Sequence, residues 1–409
     1  MNALLPISSL LLSVSLLLMA HGLMGTLLPL RGMLEGYSSA ELGILGAVYF
    51  LGFGIGTVLG PRAINRVGHI RTFTAMAALI CISVTLQALN THPVFWWISR
   101  TLTGLCLAIL FIVIESWLNA NSNNENRGMI FSIYTVITLA VMTVGQALTA
   151  VSDVANFALF AIAIMLFSAS AVPVSMTRTT APVPTGTAKL RLGYLYSLSP
   201  VAVVGALAVG WANGAFWTLG PVFAQRETGD VAIVAAFMSA TVIAGAIGQL
   251  PLGWLSDHCD RRMVIIMASL CASIAAIGHV FASQYMHTAI IACAAAFGFF
   301  ALPLYALCAA HLNDQVKEDE YVEASSGLLL LYAAGAVVGP LLAAALMDGF
   351  GTQMLFIFTG VVHLALVCFA IVRLSFRKPT AIEDKMTFSD TLVSTSTVAN
   401  LDPATSDTQ

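Results

Sequence analysis

Long apolar runs are the feature that most restricts how this chain can fold. A helix needs about 20 mainly apolar residues to cross about 30 Å of hydrocarbon, and lipid offers no solvent for unpaired backbone groups. Twelve such runs, here called spans 1 to 12, are 6–30, 42–60, 73–89, 94–118, 129–151, 157–174, 198–223, 232–255, 263–281, 288–312, 328–346 and 354–374. The sequence therefore predicts a chain that folds in a membrane.

Composition agrees with a membrane environment. Apolar residues make up 58% of the chain and charged residues 9%, against about 25% charged in a typical soluble domain. A water-soluble globule of this size is excluded. The net charge of −3 gives no basic excess, so we expect no nucleic-acid partner. The 7 cysteines are scattered without a CxxC or a metal-ligand spacing, and we expect neither a metal nor a cofactor.

The positions of the cations predict the orientation of the chain. Fourteen of the 17 Lys and Arg residues lie in connections on one side of the membrane, whereas Arg31 and Arg226 lie on the other and Arg100 lies near the start of span 4. Cytoplasmic connections carry the excess of Lys and Arg. Both termini are therefore predicted to lie in the cytoplasm, in a multi-pass protein of the bacterial inner membrane.

The sequence contains an internal repeat. An offset of 192 or 194 residues lands repeatedly on the same residue type in corresponding spans. The pairs include Gly22 and Gly214, Thr26 and Thr218, Pro29 and Pro221, Gly56 and Gly248, Gly104 and Gly298, and Gly145 and Gly339. We expect an N-terminal six-helix bundle in 1–175, a cytoplasmic linker in 176–196, a C-terminal six-helix bundle in 197–376 and a disordered cytoplasmic tail in 377–409.

Three short motifs carry a family resemblance. Residues 253–262, which read GWLSDHCDRR, resemble the signature GxLxDRxGRR, and Arg100 to Gly104 is similar to the RxxxG element of the same family. The corresponding stretch 60–71 is degenerate, because Asn65 stands where an aspartate is usual. On these motifs the chain is similar, over residues 4–376, to the major facilitator superfamily.

That resemblance implies a definite architecture. It predicts an all-α membrane protein with twelve transmembrane helices in two pseudo-symmetric six-helix bundles, the major facilitator fold, which rock about a site near the membrane midplane. Shorter stretches, among them Glu115 to Asn119, look like the YcaD-like branch of this superfamily. That branch does not fix a substrate.

Charged residues at the cytoplasmic ends of the spans predict a gate. Asp257, by pseudo-symmetric placement, would face the start of span 5, and we expect Asp257, Arg261 and Arg127 to form a latch that breaks as the halves rock. Asn65 cannot supply an anion at the matching place, so the gate would be asymmetric. The alternative is that these charges only solvate short loops.

Glu115 and Arg100 are the candidates for coupling transport to protons. A charge within a hydrocarbon-spanning run is costly, and such positions are functional by default. The two residues are about 22 Å apart along one helix and cannot pair with each other. Glu115 could instead pair with a loop cation, and Arg100 with a structural partner. His311 could also carry a proton, although a neutral imidazole held by a carbonyl is the commoner case.

Aromatic residues with a few polar neighbours predict the substrate cavity. Such a lining suits an amphipathic or moderately apolar solute rather than a sugar. Some of the aromatic residues would serve only in packing. The candidates are His21, Thr26, Phe111, Gln146, Trp211, Asn213, Trp217, Gln249 and Tyr305.

These features predict a secondary transporter that moves a small organic solute by alternating access with proton coupling. An uncoupled facilitator and a multidrug-type efflux pump remain alternatives, as does a membrane enzyme or transceptor. No Walker loop, HExxH or GxSxG in a suitable context is present, which argues against an enzyme. The expected partners are the solute, protons and membrane lipid, and we expect a monomer.

Overall fold

A computed structural model describes residues 7–122, 127–177, 191–285, 289–317, 320–376, 385–388 and 391. Its helices are α1 (Ser8–Leu34), α2 (Ser39–Val67), α3 (His69–Leu89), α4 (Pro93–Ala120), α5 (Arg127–Ala147), α6 (Ala158–Ser175), α7 (Leu192–Leu198), α8 (Pro200–Thr228), α9 (Val231–His258), α10 (Arg261–Tyr285), α11 (Ile290–Ala301), α12 (Leu304–Asn313), α13 (Tyr321–Phe350) and α14 (Met354–Leu374). Within these residues, twelve helices are long and apolar enough to cross a membrane.

The helices follow the predicted spans in order. Helices α1 to α6 are spans 1 to 6, α8 to α10 are spans 7 to 9, α11 with α12 is span 10, and α13 and α14 are spans 11 and 12. The seven-residue helix α7 precedes span 7.

Several helices are longer than their apolar runs, and one is broken. Helix α2 begins at Ser39 because Ser38 and Glu41 form a capping box, so its first turn is polar. Span 10 is interrupted between Ala301 and Leu304, where Pro303 supplies no backbone N–H. Apolarity alone shows neither the polar ends nor the break.

The same packing pattern occurs in both halves of the chain. In the first half α1 packs on α5 and α6, α2 on α4, and α3 on α4 and α6. In the second half α8 packs on α13 and α14, α9 on α11, and α10 on α11 and α14. These are equivalent pairs of spans, and the predicted architecture of two pseudo-symmetric six-helix bundles is confirmed.

Paired glycines let equivalent helices approach closely in the two halves. A methyl group on Gly145 would overlap the carbonyl oxygen of Met19, and one on Gly339 would overlap the carbonyl oxygen of Trp211. The two carbonyls lie 192 residues apart in the sequence, close to the offset between the glycines. The repeat noticed in the sequence is therefore a repeat of backbone contacts.

The halves meet at one end of the molecule. We call the end where α1 begins and α14 ends the termini face, and the opposite end the far face. At the far face Asp348 of α13 accepts hydrogen bonds from the backbone N–H groups of Ser39 (3.1 Å) and Ala40 (2.9 Å). Arg226 of α8 donates to the Ser39 hydroxyl at 2.9 Å. A carboxylate from the second half thus caps the N-terminus of a helix in the first.

Two clefts separate the halves toward the termini face. One, of about 650 Å³, lies between α5 and α9, and its lining includes Leu139 and Leu250. The other, of about 400 Å³, lies between α2 and α13, and its lining includes Ile55 and Ala334. The structure is therefore closed at the far face and parted at the termini face.

Candidate functional site

A central cavity of about 260 Å³ lies between the halves, next to the far-face contacts. Its lining comes from α1, α2, α4 and α5 of the first half and from α8, α9 and α13 of the second. Most of the lining is apolar. The lining residues with polar side-chain groups are His21, Tyr49, Arg100, Thr138, Gln146, Trp217, Thr218 and Tyr332.

A buried cation is the main electrostatic feature of this cavity. The guanidinium of Arg100 lies over the ring of Tyr49, 4.5 Å from its centroid, and only 9% of the residue is exposed. The His21 ring stacks on the same tyrosine, with 5.9 Å between centroids. Among the described residues no carboxylate forms a salt bridge with Arg100. The cavity therefore holds a positive charge that the described side chains do not neutralise.

Several predicted cavity residues carry buried polar atoms without a hydrogen-bond partner among the described residues. They are His21 (Nδ1), Thr26 (Oγ1), Gln146 (Oε1), Trp211 (Nε1), Asn213 (Oδ1) and Tyr305 (Oη). Buried polar atoms are usually satisfied, so a group of unsatisfied ones requires an explanation such as a ligand or water. His21 and Gln146, both of the first half, are the members of this set that line the central cavity.

The structure divides the predicted cavity residues into two sets. His21, Phe111, Gln146 and Trp217 line the central cavity. The others lie outside its lining: Thr26, Trp211, Asn213, Gln249 and Tyr305. Of this second set, Tyr305 packs edge-on against the cavity residue Tyr332 with 5.0 Å between centroids, and Gln249 lines the cleft between α5 and α9.

Sequence reasoning missed the contribution of spans 2 and 11. Tyr49, which holds Arg100, lies on α2, and Tyr332 lies on α13. The predicted cavity residues lie on spans 1, 4, 7 and 10, with Gln146 on span 5 and Gln249 on span 8. The aromatic pair Tyr49 and Phe50 was visible in the sequence and could have prompted their inclusion.

Glu115 lies between the halves on the termini side of the cavity. It is partly exposed, and its charge is close enough to act on Tyr134 of α5 and on Tyr305 of α12. The two tyrosines belong to different halves. Glu115 is therefore placed where relative movement of the halves would change its surroundings.

His311, a candidate proton carrier, lies away from the central cavity. It lines a separate pocket at the termini face of the second half, together with Asp260 and Arg262, and not the central cavity. Successive helical residues are rotated by about 100°, so His311 is rotated by about 240° from Tyr305, six positions earlier. The two side chains accordingly face different surroundings.

The described contacts of the predicted gate residues Asp257 and Arg261 lie within the second half and its tail. Arg261, which is 1% exposed, bonds to Asp314 at 2.7 Å and to Asp257 at 3.2 Å. The cleft between α5 and α9 separates Asp257 from the first half in this parted arrangement. Asn65 is exposed at the end of α2, and the side chain of Arg127 lies outside the described residues.

Part of the C-terminal tail docks on this charged cluster. The Phe388 N–H donates to both carboxylate oxygens of Asp257, at 2.9 and 3.1 Å, and the Met386 N–H donates to Asp314 at 3.2 Å. The Phe388 ring is 6% exposed and packs against Gly253. The prediction of a disordered tail is therefore wrong for residues 385–388, because main-chain groups there have charged partners that composition does not reveal.

Two bundles that enclose a shared cavity and are parted at one face define a membrane solute carrier. The sequence model of the Major Facilitator Superfamily matches residues 10–229 and 202–397, so the chain belongs to that family. A relative in Escherichia fergusonii, an uncharacterized MFS-type transporter named YcaD, is 27% identical over 361 residues, which cover 86% of this chain and 91% of the relative. The corresponding protein of Escherichia coli is 26% identical over 359 residues, with the same coverage.

Solved structures show the same fold. The nucleoside transporter NupG aligns with a TM-score of 0.74 and 13% identity, covering 92% of this chain and all of its own (100%). A D-xylose-proton symporter aligns with a TM-score of 0.68 and 13% identity, covering 92% and 98%. Membership of the Major Facilitator Superfamily, given by the family match, makes the chain a solute transporter of the membrane and not an enzyme.

Proposed function

We propose that this protein carries a small amphipathic organic anion across the inner membrane by alternating access, coupled to a proton. The observation that supports the anion is Arg100, a cation in an apolar cavity with no carboxylate bonded to it among the described residues. An ionised residue buried within a membrane is expected to face a partner or a transport path. A carboxylate on the solute would be that partner.

The shape of the cavity fits such a solute. A guanidinium offers up to five N–H donors and binds a carboxylate through two parallel hydrogen bonds. Tyr49 fixes one face of the guanidinium, and Phe111, Trp217 and Met238 provide apolar walls for the rest of the solute. Residues of both halves would thus contact a single bound molecule, which is the requirement for transport by rocking of the halves.

The cationic connections support an orientation for the cycle. The termini face is the end with the excess of Lys and Arg, and we assign it to the cytoplasm. The structure would then be open inward and closed toward the outside. Asp257, Arg261 and Arg127 remain our candidates for contacts that form when the cytoplasmic side closes.

Glu115 is the proposed site of proton coupling. When the termini face closes, Glu115 loses access to water, and an ionised carboxylate is costly in such surroundings. Binding a proton removes that cost. Transfer of one proton with each closure would link the solute flux to the proton gradient, whereas the uncoupled facilitator needs no titrating group between the halves.

The test uses the full chain in proteoliposomes with benzoate and indole-3-acetate as anionic probes and their primary amides as neutral analogues. We expect uptake of an anion but not of its amide, accumulation that collapses with a proton ionophore, and loss of uptake in Arg100→Gln. The matched control is Arg62→Gln, which removes an exposed cation from the end of α2. Glu115→Gln should keep downhill exchange and lose accumulation.

Two results would contradict the proposal. Equal uptake of the acids and the amides, unaffected by Arg100→Gln, would contradict the proposal that the solute is an anion. Accumulation by Glu115→Gln at the level of the parent protein would remove its role in coupling and favour another carrier of the proton.

A further inference from the structure

A second pocket, of about 240 Å³, lies within the second half at the termini face. It is lined by the start of α8, the start of α10, the ends of α12 and α14, and Lys385 of the tail. We call it the basic pocket. Its ionisable lining residues are the cations Arg261, Arg262, Arg373 and Lys385, the carboxylates Asp260 and Asp314, and His311.

The two carboxylates are already bound by two of the cations. Asp314 accepts from Arg261 Nε at 2.7 Å and from the Met386 N–H at 3.2 Å. Asp260 accepts from Arg262 Nη2 at 2.6 Å. These pairs neutralise each other and leave the remaining cations to determine the charge of the pocket.

Arg373 and Lys385 have no salt-bridge partner among the described residues. The Arg373 guanidinium lies over the Phe376 ring at 5.3 Å, a contact that leaves its N–H donors unused. The Lys385 ammonium donates to the carbonyls of Ser256 and Cys259, which leaves one of its three hydrogens. Burial, and then repulsion by Arg261, lower the pKa of Lys385, while Asp314, Asp260 and Asp257 act in the opposite direction.

The start of a long helix adds to the positive potential. Ser199, Pro200 and Val201 line the pocket, and Pro200 is the first residue of the 29-residue helix α8. Pro200 has no N–H and the Ala202 N–H donates to the Ser199 hydroxyl, so the Val201 N–H is the first-turn donor left for a ligand, and the aligned helix dipoles add partial positive charge there. The helix end and the unneutralised cations therefore point to the same chemistry.

We propose that the basic pocket binds a phosphate group, as a free phosphate or as the headgroup of an anionic phospholipid. Arginine and lysine beside a helix N-terminus match the charge and the several acceptor oxygens of a phosphate. Basic pockets between helices at the cytoplasmic side of a membrane bind anionic headgroups. Val372 and Phe376, both exposed and apolar beside Arg373, give a lipid source chains to contact.

A bound phosphate would tie together parts of the second half that are distant in sequence. The ends of α8 and α14 and the tail residue Lys385 would share one ligand, while Arg261 and Arg262 stay bonded to their carboxylates. The site is separate from the central cavity, because the two linings share no residue. Its occupancy would therefore act on stability and docking of the tail rather than on recognition of the solute.

The test measures the melting temperature and the dissociation constant of the purified full chain in neutral micelles. The probes are inorganic phosphate, dihexanoyl phosphatidylglycerol and dihexanoyl phosphatidylcholine, with sodium chloride at equal ionic strength as the reference. We expect Arg373→Gln combined with Lys385→Gln to weaken phosphate-group binding by about tenfold. The matched control combines Arg62→Gln with Arg66→Gln, two exposed cations at the same face of the other half.

The outcomes separate the two sources. Stabilisation by inorganic phosphate and by phosphatidylglycerol, lost in the pocket variant only, identifies the phosphate group itself as the ligand. Stabilisation by phosphatidylglycerol alone identifies a lipid site. Failure of both probes, or equal effects of the pocket and control variants, overturns the proposal. Should the double variant not fold, Arg373→Gln alone provides the comparison, since that side chain bonds to no carboxylate among the described residues.

Discussion

Tyr49 holds the cation of the central cavity in position. Its ring lies under the Arg100 guanidinium and also stacks on the His21 ring. Three side chains from three helices therefore form one unit. A cation over an aromatic face is stabilised by about 0.5 to 2 kcal/mol, depending on its exposure to water. That contact orients the guanidinium without neutralising it.

The first prediction separates the ring of Tyr49 from its hydroxyl. Tyr49→Phe should keep the affinity for benzoate within about twofold, because the aromatic face remains, whereas Tyr49→Leu should weaken it by about tenfold. Isothermal titration of the purified variants measures both. A loss in Tyr49→Phe as large as in Tyr49→Leu would assign the effect to the hydroxyl instead.

At this scale the sequence predicted side-chain chemistry better than side-chain direction. Arg100 and Glu115 stood out because charge is rare in apolar runs, and His21 and Gln146 because polar groups are. Tyr49 and Tyr332 were missed because aromatic residues abound in such a chain, and only the packing of α2 and α13 shows which rings face the cavity. The place of His311 in a separate pocket was hidden for the same reason, since helix rotation is not visible in composition.

Among the helices, close backbone approach is what the two halves share most clearly. Gly145 brings α5 against α1, and Gly339 brings α13 against α8. Both contacts leave no room for a side chain, because the carbonyl oxygens of Met19 and Trp211 occupy the space. Close backbone contacts between helices thus occur inside each bundle.

The second prediction concerns one of these helices. Gly339→Ala should lower the free energy of unfolding by about 1 to 3 kcal/mol, because the added methyl group forces α13 away from α8. Gly349→Ala, near the end of the same helix with open space around it, should leave stability unchanged or slightly raised. Thermal unfolding in micelles compares the two. Equal melting temperatures for both variants would show that α13 adjusts without cost.

For the helices, the sequence was informative wherever apolarity or repetition carried the signal. All twelve spans were predicted, and the glycine pairs at a constant offset correspond to real contacts. Helix ends were not predictable from apolarity, because a capping box such as Ser38 with Glu41 is polar. The break at Pro303 was equally hidden within a continuous apolar run.

On the scale of the whole molecule, the docked tail lies in one of the clefts that part the two halves at the termini face. Phe388 lines the cleft between α5 and α9, one of the two that separate the halves. It also contributes its N–H to Asp257, a residue we expect to form contacts on closure. If the halves close as proposed, the tail occupies space and hydrogen-bonding capacity that this closure would need.

The third prediction tests that competition. Phe388→Ala should increase the rate of benzoate counterflow in proteoliposomes, because a smaller side chain holds the tail in the cleft less firmly. Phe350→Ala, which truncates an exposed phenylalanine at the far face, is the matched control. Counterflow that is unchanged or slower in Phe388→Ala would show that the docked tail does not restrain closure.

The way the tail is held has a consequence for sequence divergence. Its anchors are largely main-chain groups: the N–H of Phe388, and the N–H and carbonyl of Met386. Every residue type except proline has the same N–H group, so substitutions at Met386 should be tolerated while the attachment persists. Spacing is different, because a residue inserted or deleted between Lys385 and Phe388 would shift these anchors past their partners. Related carriers with this attachment should vary in residue type at the Met386 position and agree in the spacing of the docked residues.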